Sequence, residues 1–121
     1  MSLEKQCDLV MALAERTKNG QLDWKPTEDE SQFQVSITEN TVRIHMDTSG
    51  STADMYIYLL NKEGVTIDSF SDVDLNESGI QPPGGRAGWF TFMRELYESA
   101  RRSAYGANKI LDELLKSLKK D

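Results

Sequence analysis

The sequence predicts an α+β fold, with an N-terminal helix, an antiparallel meander of four to five strands, and a long C-terminal helix packed on the sheet. Three observations carry this. Apolar residues recur every three or four positions at both ends of the chain, they alternate with polar residues through the middle, and the alternating stretches are joined by short turns. At 121 residues and 13.7 kDa, a single domain over residues 1–121 is expected.

Leu3, Cys7, Val10, Met11 and Ala14 fall on one helical face, which Leu9 and Leu13 widen, and Ser2 is an acceptable N-cap. Asn19-Gly20 should end this helix, giving residues 3–18, because glycine tolerates the left-handed closing conformation. Leu22 and Trp24 then alternate with polar residues in a short edge strand at 21–25, where Pro26 is expected to end pairing. After a polar turn at 27–31, Phe33, Val35 and Ile37 answer Val42, Ile44 and Met46 across a reversal at Glu39-Asn40. That pattern predicts a hairpin of residues 32–38 and 41–47 with one apolar face.

Residues 55–60 are apolar or aromatic on both faces, which predicts a central strand covered on both sides, or covered on one side by a partner. Asn61-Lys62-Glu63-Gly64 is a turn, and residues 65–70 return. Residues 71–88 hold six Gly or Pro positions and few apolar residues, so an irregular loop is expected. From Trp89 the series Met93, Leu96, Tyr97, Ala100, Ala104, Ala107, Leu111, Leu114 and Leu118 keeps helical phase through Gly106, predicting one rod. Thirty residues of helix would reach about 45 Å, against roughly 23 Å for a seven-residue strand. Ile110, Leu111, Leu114, Leu115 and Leu118 would then overhang the domain, unless Gly106 with Asn108 breaks the rod and folds the last turns back, and for a straight rod a second copy of the chain is the simplest cover.

Charge is segregated. Residues 21–80 carry twelve acids against Lys25, Arg43 and Lys62, a net −9, whereas residues 81–121 carry five acids against eight bases, a net +3. An acidic middle disfavours nucleic-acid binding and fits a sheet that complements the basic last helix, within one fold or between copies. It also fits an acidic decoy of nucleic acid. No apolar run approaches the ~20 residues of a membrane span, and no basic-then-apolar leader opens the chain, so no membrane role and a cytoplasmic location are expected.

Candidate chemistry is sparse. His45, the single histidine, sits with Arg43 on the polar side of its strand, and no Cys, Asp or Glu stands at recognised ligand spacing. Asp72, Asp74, Asn76 and Ser78 resemble the first half of a calcium loop, but the sixth position is Glu77 and the twelfth is Pro83. No metal and no cofactor are therefore expected. Gly84, Gly85, Arg86 and Gly88 precede the last helix, where backbone N–H groups and a guanidinium fork suit an anion. Tyr56 and Tyr58 share one strand face, as the floor beneath a helix or an exposed recognition patch, depending on whether both helices pack on the same side. With no catalytic constellation, the expected function is a small non-enzymatic interaction or regulatory protein, homodimeric through the last helix or docking a second protein. An anion-binding module is the alternative.

Overall fold

The computed structural model describes residues 3–120. Its elements are α1 (Glu4–Lys18), β1 (Lys25–Pro26), β2 (Gln32–Ile37), β3 (Asn40–Asp47), β4 (Asp54–Leu60), β5 (Thr66–Ser71), α2 (Asp72–Asn76), α3 (Trp89–Ala104) and α4 (Ala107–Leu118). The strands form one antiparallel sheet in the order β1-β2-β3-β4-β5, so the α+β meander holds. Ser2 lies outside the described residues, and Leu3 stands at the cap position of α1.

Alternation sets the register. Phe33, Ile44, Ile57 and Phe70 stand side by side across four strands, and all are buried on one face with Val35, Val42 and Met55. Against this face lies α3, crossing β1 to β4, with α1 packed beside it. Cys7, Val10 and Leu13 of α1 and Trp89, Met93, Leu96 and Ala100 of α3 join the strand residues in one core. Both helices thus cover the same side of the sheet. The expectation that β4 is covered on both sides is corrected: Met55 and Ile57 are buried while Tyr56 and Tyr58, which alternate with them, are only half-buried on the open face.

The edge strand is shorter than its alternation suggested. Pro26 is itself paired, opposite Phe33, and only Lys25 precedes it. A proline is tolerated here because an edge strand has one side without ladder partners. Trp24 is buried for another reason: its indole N–H donates to Thr17 Oγ1 at 2.9 Å, and that hydroxyl donates to the Leu13 carbonyl at 2.6 Å, locking the chain after α1 to the helix end. The hairpin turn is Thr38-Glu39, one residue earlier than expected, with Thr38 at φ 58°.

Two larger corrections concern the last third. Residues 71–88 are not wholly irregular, because Ser71 ends β5 and caps α2. Its hydroxyl accepts the Asp74 N–H at 3.3 Å while the Asp74 carboxylate accepts the Ser71 N–H at 2.9 Å, a reciprocal capping box that holds a helix of five residues. The rod beginning at Trp89 is broken. Gly106 adopts φ 65° and ψ 40°, a left-handed conformation open to glycine at little cost, and it separates α3 from α4.

Candidate functional site

Helix α4 follows directly from that glycine. The Tyr105 and Gly106 N–H groups close α3 on the Arg101 and Ser103 carbonyls, at 3.1 and 3.2 Å, and the Gly106 carbonyl accepts the Ile110 N–H at 3.1 Å to open α4. Tyr105 is anchored edge-on to Phe33, with ring centroids 5.5 Å apart, and the Arg101 guanidinium lies 5.7 Å from its ring centre. Beyond this anchor no residue of α4 is buried, and its contacts are chiefly with α3. Ile110, Leu111, Leu114, Leu115 and Leu118 remain 50, 47, 53, 50 and 81% exposed. The break at Gly106 therefore redirects the predicted apolar stripe without sheltering it.

The open face of the sheet is the second uncovered surface. In register across it lie Lys25, Gln34, Arg43, Tyr58 and Ser69 in one row, and Gln32, His45, Tyr56 and Ser71 in the next. Tyr56 and Tyr58 stand near-parallel with centroids 6.1 Å apart, and the His45 ring lies 6.4 and 6.2 Å from them. The His45 Nδ1 is shut off from solvent and has no hydrogen-bond partner. Arg43 Nε donates to Gln34 Oε1 at 2.8 Å. Burial, with help from Tyr56 and Asp47, pushes the Tyr58 hydroxyl above its ordinary pKa. Asp47 and Asp54 pair at the end of this face. Hydrogen bonds from Ser49 and Ser31, first side chain and then backbone, hold the Asp47 and Asp29 carboxyls below the usual carboxylate range, so both are charged at neutral pH. The aromatic cluster thus has an acidic border.

The glycine-rich turn brings Gly84, Gly85 and Arg86 together, with Gly84 and Gly85 at φ 80° and 70°. Arg86 grips the Glu95 carboxylate with both Nε and Nη2, the latter at 2.8 Å, donates from Nη1 to the Pro83 carbonyl at 2.7 Å, and lies 5.2 Å over the Phe92 ring. A Cβ at Gly84 would stand 2.1 Å from Arg86 Nη1, so the bare backbone there seats the guanidinium. An anion at this turn has to compete with Glu95 for the fork. Gly88 is the N-cap of α3 and has no side chain to offer, and the first N–H of the helix, from Trp89, is taken at 2.8 Å by Asn76 Oδ1. The turn borders a groove of about 500 Å³ between α1 and α3, where Met11, Glu15 and Lys18 face Arg86 and Glu95. Sixteen residues of α3, roughly 24 Å, separate this turn from α4.

The residues resembling a calcium loop have structural duties instead. Asp72, 5% exposed, accepts the Met55 N–H at 2.8 Å, and burial raises its pKa. Asp74 completes the capping box, Asn76 caps α3, and Ser78 donates to the Leu75 carbonyl at 2.6 Å. Among the described residues no three or more His, Cys, Asp or Glu side chains are gathered to hold a metal ion, and no helix is long and apolar enough to cross a membrane. The duties of Asp72 and Asn76 are invisible in sequence spacing, since their partners lie 17 and 13 residues away. No protein-family model, no curated protein and no solved structure matches the chain.

Proposed function

We propose that this chain is a small non-catalytic interaction module that pairs with a second copy of itself through α4. One observation carries the reading: five large aliphatic side chains lie on one face of a helix of which no residue is buried. Twelve residues are too few for a stable isolated helix in water, so α4 depends on tertiary or quaternary contacts for its helicity. Its stripe leaves roughly 500 Å² of apolar surface open, near the upper end of what a monomer tolerates without a partner. The absence of a catalytic role is supported by how the ionisable groups are used, with Asp72, Asp74, Arg86 and Glu95 all committed to contacts that shape the fold.

Sedimentation equilibrium tests the pairing. The wild-type chain is expected at twice its 13.7 kDa mass, and the double variant Leu111→Glu with Leu118→Glu at the single mass. A wild type that stays at the single mass up to high micromolar concentration overturns the proposal.

A further inference from the structure

Pairing of α4 with α4 alone would leave the open sheet face of each copy uncovered. Both helices would also bring like charge, since residues 107–120 carry Lys109, Lys116, Lys119 and Lys120 against Asp112 and Glu113, a net +2. The uncovered sheet face offers an apolar floor and charge of the opposite sign at one end. It offers half-buried Tyr56 and Tyr58 as that floor, and although Lys25 and Arg43 share the row of Tyr58, the end of the face beside Tyr56 is bordered by Asp29, Asp47 and Asp54. Twelve residues of helix span about 18 Å, and the seven residues of β4 about 23 Å, so the helix fits along the strand.

From this we infer that α4 of one copy seats on the open sheet face of the other, over Tyr56 and Tyr58, and that the exchange is reciprocal about a two-fold axis. This rests on the pairing proposed above and names its seat. Each half of the interface then joins one apolar stripe to one aromatic floor and sets a basic helix against an acidic border.

Three measurements on the full chain separate this seat from the pairing itself. In sedimentation equilibrium, Tyr58→Glu should weaken self-association at least tenfold while circular dichroism shows an unchanged fold, because Tyr58 lies on the face the core does not use. Raising salt should weaken association, because opposite charges meet, whereas stacked α4 helices of like charge would associate more tightly. In oxidative cross-linking, Leu114→Cys mixed with Ser69→Cys should give a product of twice the mass, Ser69 being the neighbour of Tyr58 across the sheet and Cys7 being fully buried. A wild-type dimer unaffected by Tyr58→Glu, strengthened by salt and linked only through Leu114→Cys to itself would overturn the seat and leave the pairing intact. A monomeric wild type would overturn both.

Discussion

Asp72 offers a test of how the sheet and α2 are joined, because charge and hydrogen bonding at this carboxyl oppose each other. The side chain is 5% exposed and its Oδ1 accepts the N–H of Met55, a fully buried residue near the start of β4, at 2.8 Å. Burial raises the carboxyl pKa, hydrogen bonds from the Met55, Asp72 and Val73 N–H groups pull it down, and the nearby Asp54 charge adds to the rise. A carboxyl whose folded pKa lies above its unfolded value favours the fold most when protonated. Its contribution is complete below the unfolded pKa near 3.8 and is lost as pH rises through the folded value. At neutral pH the charge is therefore a net cost and the acceptor a net gain. Asp72→Ala removes the acceptor and leaves a buried N–H without a partner, a loss of about 1–3 kcal/mol. For a chain of this length that lowers the melting temperature by about 4 °C per kcal/mol. Asp72→Asn keeps an oxygen for Met55 and discards the charge, so at pH 7 it should melt at or above the wild type, with the advantage shrinking as pH falls toward 4. Thermal melts of the three proteins at pH 7 and pH 4 decide the matter. If Asp72→Asn proves as unstable as Asp72→Ala at pH 7, the ionised carboxylate stabilises the fold and the stated balance is wrong.

Asn76→Ala should lower stability by about 1 kcal/mol in urea unfolding, since α3 has no other side-chain cap, while Asn76→Asp, which keeps the acceptor at a helix N-terminus, should match or exceed the wild type. Thr17→Val strands the indole N–H of buried Trp24 and should cost about 1–3 kcal/mol with a change in tryptophan emission, whereas Thr17→Ser should restore both. Arg86 holds the Glu95 carboxyl below its ordinary pKa through their hydrogen bonds, so the stability this pair contributes is present above the ordinary value and lost as pH falls through the lowered one. In Arg86→Ala, an NMR titration of the Glu95 side chain should move up to the ordinary carboxyl range, and an unchanged titration would show that the pair does not form in solution.

The strands were legible because a period of two leaves little freedom. A slip of one residue would carry Phe33, Val35, Val42, Ile44 and Ile57 to the opposite face, so the alternation fixes which faces meet and the tight turn at Thr38-Glu39 fixes the register of the hairpin. Two kinds of information lay outside that code. A helix of five residues spans barely more than one turn, too short for periodicity to report, and α2 exists through the reciprocal contacts of Ser71 and Asp74, whose spacing of three was the one local signal available. The direction of α4 was hidden for the opposite reason, because apolar spacing records which face each turn presents and stays in phase across Gly106 while a single left-handed residue turns the axis.

The covering of the sheet was ambiguous in the same sense. Tyr56 and Tyr58 are apolar enough for a core and polar enough for a surface, and sequence order does not say whether α1 and α3 pack on one side or on two. Once both lie on the side of Phe33 and Ile57, the other face of the sheet is left open among the described residues, and the break at Gly106 separately leaves one face of α4 uncovered. The proposed pairing joins these two surfaces, the basic, aliphatic helix beyond the core and the half-buried tyrosines with their acidic border. Within a single copy, the anchoring of Tyr105 on Phe33 holds the start of α4 on the helix-covered side, so the proposed seat requires the open face of another copy and not that of its own.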